Sequence, residues 1–86
     1  MSQHITTYYK HRTIAGFYGR VQQIEKQVVW GIWHNSGRPD NDWSIGWNWD
    51  TPFRSLPGAN NNWTNNNWVE VSQLEVLVVL GRKAVE

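Results

Sequence analysis

Two short runs stand out for the ligand chemistry they offer. Asn60-Asn61-Asn62-Trp63 and Asn65-Asn66-Asn67-Trp68 stand in tandem, each with three amides ahead of an indole. An Asn side chain both donates and accepts hydrogen bonds, and an indole presents a broad apolar face. Sugars require both at once, because hydroxyls must be met by polar groups while the C–H face of the ring stacks on an aromatic. Carbohydrate recognition would use Trp63 and Trp68, or Trp47, as stacking surface, with Asn60, Asn61, Asn65, Asn66 and Asp50 on the hydroxyls. Asn48, on the polar side of the segment that carries Trp47, joins this ligand-binding set. The plainer alternative is an Asn-rich loop whose amides cap turns while its tryptophans plug the ends of the fold. Asn62-Trp63-Thr64 also matches an N-glycosylation acceptor, a match expected to be accidental because no secretory leader is expected.

The acids and histidines form weaker patterns. Asp40, Asp42 and Ser44 alternate like the first ligands of a calcium loop, yet the sixth and twelfth positions, which need Gly and Glu, hold Ile45 and Thr51. Solvated carboxylates at a hairpin end are the simpler reading. His4, His11 and His34 lack metal-ligand spacing. His34 lies near Asp40 and Asp42 in sequence, which would suit a general base with an orienting carboxylate. No serine sits in a nucleophile elbow, no Gly-rich phosphate loop exists, and there is no cysteine. The expectation is a non-catalytic binding module, with no cofactor and no metal.

Two further partner classes compete with sugars. Tyr8, Lys10 and Arg12 share one side of an extended segment, as do Tyr18, Arg20 and Gln22. If these segments pair, they form an aromatic and basic surface of the type that binds single-stranded nucleic acid. The formal charge of only +1 argues against nucleic acid. That charge is unevenly laid out, with a net of +4 over residues 1–39, −4 over 40–80 and +1 over 81–86. Such polarity could steer a protein partner or favour head-to-tail self-association into a homo-oligomer, although two differently charged faces of one compact domain are the simpler reading. A small structural or protein-interaction protein, such as a viral component or an inhibitor docking on a larger protein, is thus the second functional class. Exposed tryptophans serve protein hot spots as well as they serve sugars.

The elements that must position these groups read as strands. Ile5–Arg12, Phe17–Ile24 and Gln27–His34 are rich in β-branched and aromatic residues, broken at Ala15-Gly16 and Glu25-Lys26. The first is not cleanly apolar on either side, so an edge strand or arm over residues 1–12 is expected. The third is apolar on both sides, as a covered central strand must be. Gly31 within it marks a bulge or the close approach of another group. A turn over residues 35–42 leads into Trp43–Trp49, where Trp43, Ile45, Trp47 and Trp49 alternate with small or polar residues. Its indoles are expected in the core, which leaves Ser44, Gly46 and Asn48 on the opposite side. Residues 50–67 read as one long loop with Asn, Pro and Gly. Trp68–Leu80 reads as the most strongly β stretch, with a change of phase near Ser72-Gln73 that implies a bulge.

With 86 residues the chain is expected to form a single domain, 1–86. Its fold class is all-β, a small antiparallel meander forming a sandwich or partly open barrel, with a core rich in its seven tryptophans. The absence of cysteine excludes disulfides and thiolate metal sites. No apolar run approaches the ~20 residues of a membrane span, so no membrane partner is expected. Met1–Lys10 lacks an apolar core of the kind leaders carry, so cytoplasmic synthesis without a signal peptide is expected, whatever the final location.

Overall fold

Alternation of side chains along the chain builds one open antiparallel sheet with two covered faces. The computed structural model describes residues 4–35, 42–47, 56 and 67–85. Five strands, β1 (His4–His11), β2 (Phe17–Ile24), β3 (Gln27–His34), β4 (Ser44–Gly46) and β5 (Trp68–Val71), lie in the order β4-β3-β2-β1-β5. The first four form the expected meander. The chain then passes from the β4 edge to the far edge, where β5 pairs antiparallel with β1 from Tyr8↔Val71 to His11↔Trp68. The sheet does not close into a barrel. β1 lies between β2 and β5 rather than at an edge, and its unevenly polar sides are reconciled by Tyr8 and Tyr9 facing covers that arrive from distant parts of the chain.

Turn chemistry sets the register. Between β1 and β2, His11 Nδ1 accepts from the backbone N–H of Thr13 at 3.2 Å and of Ile14 at 3.1 Å. Gly16 adopts φ +75, a left-handed conformation open to glycine, and its carbonyl accepts from Asn35 N–H at 2.7 Å. At the β2–β3 hairpin Glu25 takes φ 57, and the pairing runs unbroken from Ile24↔Gln27 to Phe17↔His34.

Cross-strand partners share a face, so the registers assign each residue to one side. On the first face Tyr8, Tyr18, Trp33 and Trp43 are buried together with Val76 and Ala84 from the C-terminal segment. On the second, Ile32, Leu56 and Trp68 are buried, flanked by Tyr9, Phe17, Val21 and Trp30. β3 is thus covered on both sides, as its two apolar faces require.

The C-terminal part departs from the expected strand. After β5, Ser72 caps an α-helix, α1 (Gln73–Leu80), and a 3-10 turn follows at Arg82–Val85. Ser72 Oγ accepts from Glu75 N–H at 3.2 Å, and Gly81 N–H closes the helix on the Leu77 carbonyl at 3.0 Å. The change of phase at Ser72-Gln73 marks this strand-to-helix junction, not a bulge. Because Val and Leu fill nearly every side of the segment, β-propensity and helix composition point opposite ways, and the cap decides.

Candidate functional site

Trp43 gathers the polar chemistry of the first face. It sits against Gly31, where a Cβ would stand an ordinary 3.5 Å from the Trp43 Cβ and Cε3. Trp33 meets it edge-on, with ring centroids 5.3 Å apart at 69°, and Tyr8 lies at 6.1 Å. The Arg20 guanidinium carbon stands 4.7 Å from its ring centroid, a cation–π contact. Burial lowers the Arg20 pKa, while Tyr8 and Asp42 hold it up. Trp43 Nε1 donates to the Ala84 carbonyl at 2.9 Å. Asp42 Oδ1 accepts from Trp43 N–H at 2.7 Å, and its Oδ2 lies 3.7 Å from Lys83 Nζ, an exposed pair. This constellation locks β4 to the C-terminal turn. It is a structural joint.

The register brings Tyr8 opposite Arg20 and Lys10 opposite Tyr18, so the aromatic and basic surface weighed for nucleic acid does assemble. It is roofed, however. Tyr8 and Tyr18 are 6% and 3% exposed beneath Val76, Leu80, Ala84 and Val85. Their faces are spent on the core.

The candidate sugar-binding residues divide in three. Trp47 follows β4 and is 59% exposed. Trp68 opens β5 and is 8% exposed, packed in the second core against Leu56 and Phe17, with ring centroids 5.6 Å from Phe17 and 4.9 Å from His11. β4 and β5 are opposite edges of the five-stranded sheet, so Trp47 and Trp68 are not brought together. Asn48, Asp50, Asn60, Asn61, Trp63, Asn65 and Asn66 lie outside the described residues, as do Asp40 and most of the 50–67 loop. His34 is exposed at the end of β3, with its ring 5.9 Å from Phe17. Among the described residues no cluster of three or more His, Asp or Glu could hold a metal ion.

Two surface features have no counterpart in the sequence reading. One is an open depression of about 390 Å³ beside β1 and β5, lined by Lys10, His11, Arg12, Val69, Glu70, Val71 and Glu75. Its cations and carboxylates are mixed, so it favours neither sign of ligand. The other is the outer side of α1. Only Val76 of this helix is buried; Leu74 is 68% and Val78 76% exposed, and Leu77 and Val79 are also open to solvent. A helix on a soluble surface ordinarily turns polar residues outward. This one carries Gln73 and Glu75 as its sole polar side chains. The missed clue is Ser72-Gln73-Leu74-Glu75, a capping-box spacing placed immediately before an apolar run.

No helix among the described residues is long and apolar enough to cross a membrane. No family model, no curated protein and no solved structure matches the chain.

Proposed function

We propose that the protein is a non-catalytic interaction module that binds another protein through the outer side of α1. The observation that carries this reading is the exposure of Leu74 and Val78 on a helix whose only polar side chains are Gln73 and Glu75. Exposed apolar residues scattered singly need no explanation, but a contiguous group on one short helix marks a contact surface. Docking such a stripe in a partner's groove removes it from water and gains about 25 cal/mol per Å² buried.

A photo-crosslinking amino acid at position 78, with one at Lys26 as the exposed control, tests the reading in cells. The expected result is a discrete protein adduct from position 78 only. Saturable binding of that purified protein should then weaken about tenfold or more in Val78→Glu. Equal labelling from both positions, or binding indifferent to Val78→Glu, overturns it.

Carbohydrate recognition is the second reading, supported by the exposed indole of Trp47. Calorimetric titration against a broad glycan panel tests it. Binding that Trp47→Ala abolishes supports the reading, and no heat across the panel removes it.

A further inference from the structure

The geometry points to a second copy of this chain as the partner of α1, packed antiparallel about a two-fold axis beside Val78. This rests on the reading of α1 as a contact surface and names its occupant.

Leu74, Leu77 and Val78 recur at i, i+3 and i+4, with Gly81 next in the series, so they form one outward stripe opposite the buried Val76. The stripe ends in open space, since a Cβ at Gly81 would meet no atom within 4 Å. A large residue at one end and a bare backbone at the other make the stripe complementary to itself when reversed. In an isologous pair, Leu74 of each copy then covers Gly81 of the other.

Charge selects the same orientation. Glu75 lies in the first turn of α1 and Arg82 just beyond its last, and neither makes an ion pair with any described residue. Antiparallel packing sets Glu75 of one copy toward Arg82 of the other, twice over, and opposes the helix dipoles head to tail. Parallel packing would set Glu75 beside Glu75 and Arg82 beside Arg82. The midpoints of the Leu74–Gly81 and Glu75–Arg82 pairs both fall beside Val78, so one axis satisfies both. The charges thus act as the element that rejects the wrong pairing.

Size sets the strength. Eight residues of helix are about 12 Å long, too short for one helix face to supply the ~800 Å² per partner of a standard stable interface, so the pairing is reversible. Sedimentation velocity and light scattering on the full chain from about 5 to about 500 μM should show the mass rising from one chain toward two. Val78→Glu should weaken the association about tenfold or more. Glu75→Arg should weaken it, and adding Arg82→Glu should restore it. The chain contains no cysteine, so Val78→Cys gives a clean geometric probe. Mild oxidation should link it rapidly into disulfide dimers, whereas Lys26→Cys should stay largely unlinked. Circular dichroism of each variant establishes that it is folded.

One chain mass at every concentration overturns the pairing, as does a dimer insensitive to Val78→Glu. The contact reading of α1 itself then stands or falls on the adducts from position 78, which separates the two failures. A monomer that instead binds lipid vesicles through Val78 overturns both in favour of a membrane surface.

Discussion

The indole N–H of Trp43 donates to the carbonyl of Ala84 at 2.9 Å, a buried bond that joins residues 41 positions apart. It ties the shortest strand of the sheet to the last turn of the described chain. Trp33, its edge-on neighbour, has the opposite circumstance: its Nε1 is buried with no acceptor among the described residues. The two tryptophans should therefore respond differently to the same change. Trp43→Phe leaves the Ala84 carbonyl unpaired, whereas Trp33→Phe removes an unsatisfied donor. Urea unfolding should place Trp43→Phe about 1–2 kcal/mol below Trp33→Phe in stability.

Glycines 19 and 31 make a second contrast. A Cβ on Gly19 would collide with Leu56 Cδ2 and press on Trp68 Cζ3 at 3.3 Å, whereas a Cβ on Gly31 would meet Trp43 at an ordinary 3.5 Å. Gly19→Ala should lower stability by about 1–3 kcal/mol through overpacking. Gly31→Ala should be neutral or stabilising by up to about 1 kcal/mol, since Ala has less freedom to lose on folding. Chemical denaturation of the two single variants checks both signs.

Alkaline pH should weaken the fold through Tyr8 and Tyr9. Burial raises the Tyr8 pKa above its ordinary 10.0, against an opposing effect from Arg20. Burial also raises that of Tyr9, and the Glu70 carboxylate adds to the shift. For a group raised on folding, the stability it contributes is complete below the unfolded value and is lost as pH climbs through the folded one. The unfolding midpoint should thus fall above about pH 10, and Tyr9→Phe should flatten that fall. A midpoint that holds steady through this range would remove the argument.

The helix cap is a fourth test. Ser72→Ala deprives the Glu75 N–H of its acceptor and should cost about 1 kcal/mol, while Ser72→Asp should keep most of that stability. Thermal melts followed by far-ultraviolet circular dichroism separate the two.

The first three strands were legible because alternation and punctuation agree there. Phe17–Ile24 and Gln27–His34 have the bounds that their composition and the Glu25-Lys26 break imply. Of the alternating stretch Trp43–Trp49, Ser44–Gly46 pairs in the sheet among the described residues 43–47, because a period of two describes extended chain whether or not a neighbour is present. α1 was misread because Leu and Val on every side carry no period at all; only the capping-box spacing distinguished helix from strand. The fate of Trp68 was not legible locally. Its burial depends on Gly19 and Leu56, which the sheet and the returning chain bring from elsewhere.

The strand order also sets a sequence of events in time. β2 pairs with its neighbours in sequence on both sides, through short hairpins that cost little entropy to close. β5 reaches β1 only across most of the chain, and Ala84 reaches Trp43 only across nearly half of it. Substitutions in the β2–β3 hairpin should therefore slow folding, while Trp43→Phe should chiefly hasten unfolding. The joint that locks β4 to the C-terminal turn governs how long the molecule stays folded, and the hairpins govern how quickly it gets there.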